Sequence, residues 1–590
     1  MQAYKAPIDE IKFLLFDVLN VQDLQQIDEY AEASEELISA ILEEAAKITE
    51  GSFAPINYSG DLEECQYDPS TKSVSTPKGF KESYKAFAEG GWVGLTAPTD
   101  FGGQGLPQLL KLCTDELATG SNTSLAMYPG LSHGSIDAIT EHATPELQEK
   151  YLPKLISGEW SGTMCLTEPQ CGTDLSMIST KAVPQSDDSY QITGTKIWIT
   201  GGEHDLTDNI LHLVLAKLPD APDTSKGISL FLVPKFLDDN TRNTAFCGGI
   251  EHKMGIKGSS TCVMNFENAK GFLIGKENEG LKCMFTMMNA ARLMVGLQGL
   301  GSAEAAYQIS LGFAKERIQS RAITGAKNPD QKADPIIVHA DVRRMLAYQK
   351  TFIIGSRAMA YWVGKQLDIS LKDPDQQKRD LADDLVQLMT PIVKAYLTDE
   401  GYLSIDQGLQ LMGGAGFTRE WGIEQLARDC RISRIYEGTN GIQSLDLAGR
   451  KLLIKGGRLP QTYLSAMEDM LNEGGDAEYI KKAREALKTL EDTLTWIGNN
   501  AIQDPEEATQ GATPLLKLFA LTTLSVFWVK LDHVAKDAQA NNPVYSTNFY
   551  QSKHKACEHF FRYFYPQIQM HATDIQAGKA SIMAWDVNDF

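Results

Sequence analysis

Between about Gly162 and Asn268 the hydrophobic pattern of this chain changes period, and that switch limits the accessible folds more than any other feature. Four short runs there alternate apolar with polar residues: Tyr190 to Thr200 (YQITGTKIWIT), His212 to Leu218, Gly227 to Lys235 and Ser260 to Phe266. They are rich in β-branched side chains and separated by Gly, Pro, Asp and Asn. Period-two runs joined by such turns predict a small antiparallel sandwich or barrel rather than a parallel sheet with crossover helices. On both sides the period is helical. Upstream, Ile27, Tyr30, Leu37, Ile38, Ile41, Leu42 and Ala45 predict one amphipathic helix running from Asp23, as its cap, to Gly51. Residues 80–160 read as largely helical around a Gly- and Pro-rich loop from Gly91 to Pro107. Downstream the signal is helical from Gly280 to Ile454, with breaks near 324–335, 369–376 and 413–416, and such long runs imply a bundle. A loop at Lys455 to Gln461 leads into a last helical block that reaches about residue 578. The expected class is α+β in four parts: a helical domain over 1–161, a central antiparallel β-domain over 162–275, a helical bundle over 276–456 and a helical extension over 457–590.

Composition narrows the function. With 590 residues, 43% hydrophobic and 22% charged, the chain has apolar material for several cores and is not a disordered one. Its 55 basic residues against 77 acidic ones leave a formal charge of −22, which repels nucleic acid and anionic membrane, so an anionic ligand needs a local basic pocket. Nine scattered cysteines without a C-x-x-C pair point to reduced thiols and a cytoplasmic setting. His554, Cys557 and His559 are the nearest approach to a metal set, but further ligands at zinc spacing are missing and no metal is expected. Asp9, Glu10, Lys12 and Asp17 break the apolar N-terminal stretch, so neither a signal nor a transit peptide is expected there. With no run of about eighteen apolar residues, membrane insertion is not expected either.

Three clusters carry chemistry-bearing residues. In the first, Gln410 to Gln443, glycines at 413, 414 and 416 let backbone amides approach an anionic group such as a pyrophosphate, although such a cluster also serves simply to end a helix. Further on, Glu437 sits in a Gly-containing turn between Tyr436 and Gly438. It reads either as a solvated turn acid or as a general base whose pKa is raised by apolar neighbours such as Ile435. The second cluster is Met164 to Asp174 (MCLTEPQCGTD) and the third is Trp198 to Thr200, on the alternating strand. Hydroxyls at Thr167, Thr173 and Thr200 suit a heterocycle and Trp198 offers an aromatic face, while the same residues are ordinary for a β-domain. Met284, Met287, Met288 and Met294 at helical spacing read as core or as the lining of an adjustable tunnel.

Together the clusters resemble the acyl-CoA dehydrogenase family of flavoenzymes over roughly residues 80–455. Thr167 to Asp174 matches T-E-x-x-x-G-[ST]-D, Trp198 to Thr200 matches W-I-T, Gln410 to Gly416 matches Q-x-x-G-G-x-G, and Tyr436 to Thr439 matches Y-E-G-T. Further strings, HKMGIKGSSTCVMNFENAKGFLIG and DPIIVHADVRRML among them, together with the helical tail, resemble the longer subfamily that contains 3-methylmercaptopropionyl-CoA dehydrogenase. The resemblance implies the fold of that family and FAD bound without a Rossmann motif; Gly296 to Gly301 (GLQGLG) lies inside a helical stretch and follows no strand.

The implied reaction is oxidation of an acyl-CoA thioester to the trans-2-enoyl-CoA, with Glu437 taking the α-proton. The backbone amide of the base and a flavin ribityl hydroxyl would stabilise the developing enolate. Asn289, Ala290 and Ala291, just before Arg292 where some members carry the base, are uncharged, which leaves Glu437 without a rival. Similarity places Met164, Leu166, Thr167, Thr173, Trp198 and Thr200 around the flavin and the adjoining CoA chain. It places Arg317 on the FAD pyrophosphate of a neighbouring subunit, with Gln410, Gly413, Gly414 and Thr439, and assigns Thr173, Asn289, Arg292, Tyr436 and Gly438 to substrate. A homodimer or dimer of dimers follows, with an electron-transferring flavoprotein as acceptor and a short acyl group such as 3-methylmercaptopropionyl. The rivals are an acyl-CoA oxidase, a straight-chain dehydrogenase of β-oxidation, a DNA-binding member and a membrane-docked long-chain member. Two motifs depart from the family: Arg317-Ile-Gln-Ser320-Arg321 replaces R-x-x-F-G, and Ile442 to Arg450 carries a basic residue shifted by one position from I-Q-R-x-x-x-A-R.

Overall fold

The helical period near the N-terminus does not become one helix. The computed structural model describes residues 3–590, Ala290 by its backbone alone. After α1 (Ile8–Lys12), 3-10 turns at Val21–Gln26 and Asp28–Tyr30 precede α2 (Glu35–Ile48). Ile27, between the turns, is extended at φ −89° and ψ 120°. Asp23 is not a cap but accepts from Lys365 Nζ at 3.1 Å. The buried Tyr30 hydroxyl donates to Asp368 Oδ1 at 3.0 Å, so a tertiary contact overrides the local period here.

Then come α3 (Asn57–Glu63), a hairpin of β1 (Gln66–Asp68) and β2 (Ser73–Ser75), α4 (Phe80–Glu89), α5 (Gln108–His142) and α6 (Pro145–Ile156). The central strands are β3 (Trp160–Cys165), β4 (Lys181–Pro184), β5 (Tyr190–Thr200), β6 (Asn209–Lys217), β7 (Ile228–Pro234), β8 (Ala245–Ile250) and β9 (Thr261–Ile274). The four expected strands are present; β3, β4, β8 and the β1–β2 hairpin were not foreseen. The order β3-β6-β4-β5-β9-β7, with β6 also paired to β7, closes a barrel. It is not wholly antiparallel. Strand β3 runs parallel to β6, Trp160 opposite Asn209 through Cys165 opposite Val214, because the long segment between them, which holds β4 and β5, returns the chain to the same end.

Downstream lie α7 (Gly280–Glu316), α8 (Ala340–Lys372), α9 (Gln376–Met412), α10 (Ile423–Arg431) and α11 (Asn440–Asp446). The tail adds α12 (Arg458–Asn472), α13 (Ala477–Ala501), α14 (Glu506–Gln510), α15 (Ala512–Asn541), α16 (Thr547–Tyr563), α17 (Gln567–Gln576) and α18 (Ala580–Met583). Among the described residues α15 alone is long and apolar enough to cross a membrane, and 83% of its apolar window is buried within the protein. The described residues form two compact units, Glu44–Pro107 with Leu117–Met294, and the residues up to Glu43 with Gln108–Glu116 and Val295–Phe590. The first contains the barrel.

In the second unit, α7 and α9 touch backbone to backbone. A Cβ built on Gly299 would lie 2.4 Å from Leu397 O, and one on Gly401 would lie 2.5 Å from Gly299 O. Gly296 meets Val393, and Ser310 meets Gly408 further along, so the residue numbers rise together and the helices run parallel. The GLQGLG string is therefore a helix–helix contact. Arg357 anchors the same unit, donating through Nε to Glu116 Oε1 at 2.8 Å and through Nη2 to Glu304 Oε2 at 2.8 Å, while Tyr361 OH donates to Glu116 Oε2 at 2.6 Å.

A Gly299→Ala substitution should lower stability by about 1–3 kcal/mol, because neither backbone can retreat. Gly498→Ala in α13, where nothing lies within 4 Å of the added methyl, should raise it by about 0.4–1 kcal/mol. Urea midpoints of the two variants check this, and a neutral Gly299→Ala would contradict the contact.

Candidate active site

The barrel unit gathers most of the predicted flavin residues through one buried ion pair. Strand β5 carries a bulge: Lys196 pairs with Met264 and Ile199 with Cys262, so two residues face one across β9. The bulge puts Trp198 at φ 62°, and the residue is 56% exposed. A tryptophan rarely adopts that conformation, and the bulge re-aims its ring. Beside it, Ile197 N donates to Thr167 O at 2.9 Å, and Lys196 Nζ donates to Leu166 O at 3.0 Å and to Glu168 Oε1 at 2.8 Å. Glu168 also accepts from Ser179 N at 2.7 Å and Thr180 N at 3.1 Å. Burial alone would raise the Glu168 pKa, but the Lys196 charge and the hydroxyl and amide donors overrule it and hold the carboxyl at about 2.

Leu166, Thr167, Trp198 and Thr200 thus share one fixed segment, with Met164 buried on β3. A Cβ on Gly172 would sit 3.5 Å from Thr167 Cγ2, which places the exposed Thr173 beside the same segment. An exposed indole face flanked by half-buried threonines fits a flat heterocycle with polar edges, as the flavin ring is. In this unit Arg292 is buried, and its Nη1 donates to the exposed Asn289 at 3.4 Å. The side chain of Ala290 lies outside the described residues. Met284, Met287 and Met294 are buried core, Met287 and Met294 filling space that a Cβ on Gly134 or Gly130 would take.

The other unit holds the Glu437 turn. It follows a 3-10 turn at Ile432–Arg434 and ends at Thr439, the N-cap of α11, whose side chain accepts from Ile442 N. Glu437 has φ 56° and Gly438 φ 78°. A non-glycine residue there costs about 1–2 kcal/mol and persists only where its surroundings over-determine it. Two buried side chains do so. Gln443 Nε2 donates to Glu437 O at 2.9 Å, and Lys394 Nζ donates to Gly438 O at 2.9 Å and Asn440 Oδ1 at 2.8 Å. The Tyr436 hydroxyl donates to Gln298 of α7. Burial, then the neighbouring Glu437 charge, pushes the Tyr436 pKa up. Glu437 is half-buried, but Ile435 is 47% exposed and does not supply the expected apolar screen, since the 3-10 turn ends by directing it outward.

Parallel packing places the end of α7, with the exposed Arg317, level with the end of α9, where Gln410, Gly413 and Gly414 are also exposed. Gly413 has φ 59° and ψ −135°, a conformation for glycine alone. The rings of Phe313 and Trp421, 5.0 Å apart, bind these ends together. The departures from the motifs have structural answers. Arg321 donates to Asn328 O at 2.8 Å and Asp334 Oδ1 at 3.2 Å, so it ties the loop. Backbone amides, that of Ala322 foremost, hold the Asp334 carboxyl at about 2. The shifted Arg450 lies in a π-helical turn, Leu447–Lys451, whose wider i→i+5 ring takes in one residue more than an α-turn.

Of the metal candidates, His554 bonds Asp532 at 2.8 Å, His559 bonds Thr351 at 3.1 Å and Cys557 is buried. In the helical tail, Lys482 is paired with Glu478 at 2.7 Å and Lys488 with Asp492 at 2.8 Å, which leaves neither as an open basic contact for the DNA-binding rival. Glu168, Lys196, Lys394, Gln443 and Gln298 are structural supports of the site to which the sequence motifs assign no role. Two signals were available: Lys196 sits on the inward face of an alternating strand, and Lys394 interrupts the apolar run Pro391 to Leu397.

Family models match in four consecutive pieces: the acyl-CoA dehydrogenase N-terminal domain over 40–159, the middle domain over 163–269, the C-terminal domain over 278–452 and an acetyl-CoA dehydrogenase C-terminal-like region over 463–586. The 3-methylmercaptopropionyl-CoA dehydrogenase of Ruegeria pomeroyi is 40% identical over 525 residues, 87% of this chain and 88% of its own length. The chain belongs to the acyl-CoA dehydrogenase family. A butyryl-CoA dehydrogenase of Syntrophomonas wolfei is 35% identical over 538 residues, 88% of this chain and 87% of its own length. An acyl-CoA dehydrogenase from Bacillus anthracis, solved with FAD, shares the fold at TM-score 0.75 and 22% identity, over 94% of this chain and 90% of that one. The protein is thus an oxidoreductase acting on acyl-CoA with FAD as cofactor.

Glu168→Gln should destabilise the protein by about 3–5 kcal/mol, since it strands the Lys196 ammonium, whereas pairing it with Lys196→Met should cost less. Because the folded carboxyl lies below its ordinary value of 4.5, its contribution is complete above that value and fades as pH falls towards 2. Denaturant melts from pH 7 to 3 check both; a single variant no worse than the double would contradict the pairing.

Proposed function

We propose that Glu437 is the general base of this dehydrogenase, that its acyl group is short, 3-methylmercaptopropionyl being the leading choice, and that electrons leave to an electron-transferring flavoprotein. The observation that carries the reading is the left-handed backbone at Glu437, φ 56°, clamped by two buried donors. Strain held by such contacts places one carboxylate at one point, as proton abstraction demands. FAD, when bound, supplies the hydride acceptor. The chain's own part begins with the α-C–H bond, whose proton passes to the Glu437 carboxylate while the electron pair forms the C2–C3 double bond and the β-hydrogen leaves with its pair.

Met164, Leu166, Thr167, Trp198 and Thr200 would hold the flavin ring, with Thr173, Asn289, Arg292, Tyr436 and Gly438 on the substrate side. Arg317, Gln410, Gly413, Gly414 and Thr439 would serve the pyrophosphate of a second copy, in a homodimer or dimer of dimers. The names of the two relatives, one acting on 3-methylmercaptopropionyl-CoA and one on butyryl-CoA, support a short acyl chain. All nine cysteines are unpaired and buried, which supports a cytoplasmic setting.

Glu437→Gln should load FAD and fold, while anaerobic flavin bleaching by butyryl-CoA slows by about 10²–10⁴-fold. Bleaching at the parent rate would reject the base. Across a chain-length panel, kcat/KM should peak at 3-methylmercaptopropionyl-CoA or butyryl-CoA, and a maximum at eight carbons or more would reject the short chain.

A further inference from the structure

Lys394 is fully buried at the middle of α9, between buried Val393 and Ala395. An ammonium in such surroundings is expensive unless oxygens satisfy it. Two that do so, Gly438 O at 2.9 Å and Asn440 Oδ1 at 2.8 Å, belong to the segment that carries Glu437. Asn440 is itself held, donating to Thr398 Oγ1 at 3.0 Å and Asp399 Oδ1 at 2.9 Å. The carbonyls of Glu437 and Gly438, turned by two successive left-handed residues, thus meet donors from α9 and α11. A fixed cation hydrogen-bonded to the residue after a carboxylate also favours the ionised form of that carboxylate.

We propose that Lys394 is a positioning residue for the dehydrogenation: its ammonium locks the Glu437–Gly438 turn in its left-handed conformation and keeps the adjacent carboxylate ionised for proton abstraction. The inference rests on reading Glu437 as the base. Other charged and titratable groups lie on the elements around the same turn. Asp399 of α9 is paired with Arg434 at 2.5 Å. Tyr436 and Cys430 are kept neutral by burial, the Cys430 thiol being pushed up to about 12. Asp429 of α10 lies near Tyr436, and Glu400 of α9, raised by burial, accepts from Tyr348 and lies 4.0 Å from Lys517.

The test is stopped-flow anaerobic flavin reduction of the holoenzyme by butyryl-CoA from pH 5 to 9. Lys394→Gln should slow reduction about tenfold to a hundredfold. It should also move the acid limb up by about one unit and leave the substrate dissociation constant within about threefold. Lys394→Arg, which keeps the charge, should keep the parent's acid limb. A Lys394→Gln profile equal to the parent's, or an equal shift in Lys394→Arg, overturns the proposal. If Lys394→Gln does not load flavin, Lys394→Met, unbranched and without charge, gives the same readout: slower reduction with a raised acid limb is expected, and a parent-like profile overturns the proposal. Glu437→Gln run in parallel separates the two readings. Parent-rate bleaching in that variant removes the base assignment itself, whereas an inactive Glu437→Gln beside a parent-like Lys394→Gln removes only the role of Lys394.

Discussion

The absence of side chains where α7 meets α9 is the constraint on which the catalytic turn depends. Gly299 and Gly401 admit each other's backbones at distances no Cβ would allow, so the helices lie parallel and in one register. That register brings two buried groups, Gln298 of α7 and Lys394 of α9, to consecutive parts of one turn. Were the helices spread by even a methyl group, the hydroxyl of Tyr436 and the carbonyl of Gly438 would lose their partners together. Close packing transmits such a shift because the interior has little free volume to absorb it. The same register sets the exposed glycines after α9 level with Arg317.

The barrel unit solves a similar problem with charge instead of contact. Glu168 and Lys196, both buried, tie the loop after β3 to the bulged strand that presents Trp198. The pair is over-determined by amides and hydroxyls, which is the condition under which a buried ion pair holds a geometry rather than merely costing desolvation. In both units, then, a candidate ligand-facing residue stands in left-handed conformation, Trp198 at φ 62° and Glu437 at φ 56°, and in both a buried lysine fixes the adjoining backbone. Strain and a polar clamp occur together because neither is stable alone.

The two departures from family motifs show how a fold absorbs sequence change. The shifted basic residue Arg450 lies in a π-turn, and the residues after Arg317 are held by Asp334 and Arg321. Each departure is met by contacts within a few residues of it.

The class of fold was legible because its signal is local. Period-two strands flanked by long period-3.6 runs read directly as a β-domain between helices, and the strand Tyr190 to Thr200 has the bounds its alternation predicts. The motif residues, Glu437, Trp198, Thr167 and Gly413, were legible as types in an order. The break at Ile27, the parallel β3–β6 pair and the outward Ile435 were not, since each is decided by a partner far along the chain or by the exit of a turn. Nor were the roles of Lys394, Lys196 and Glu168, whose charges stand out in the sequence but whose partners do not. Sequence alone determined the class of fold and which chemical groups its long periodic elements carry, because hydrophobic period is set within a few residues. Tertiary structure alone decided which buried charge holds which turn, because a buried charge settles its desolvation only with groups that folding brings to it.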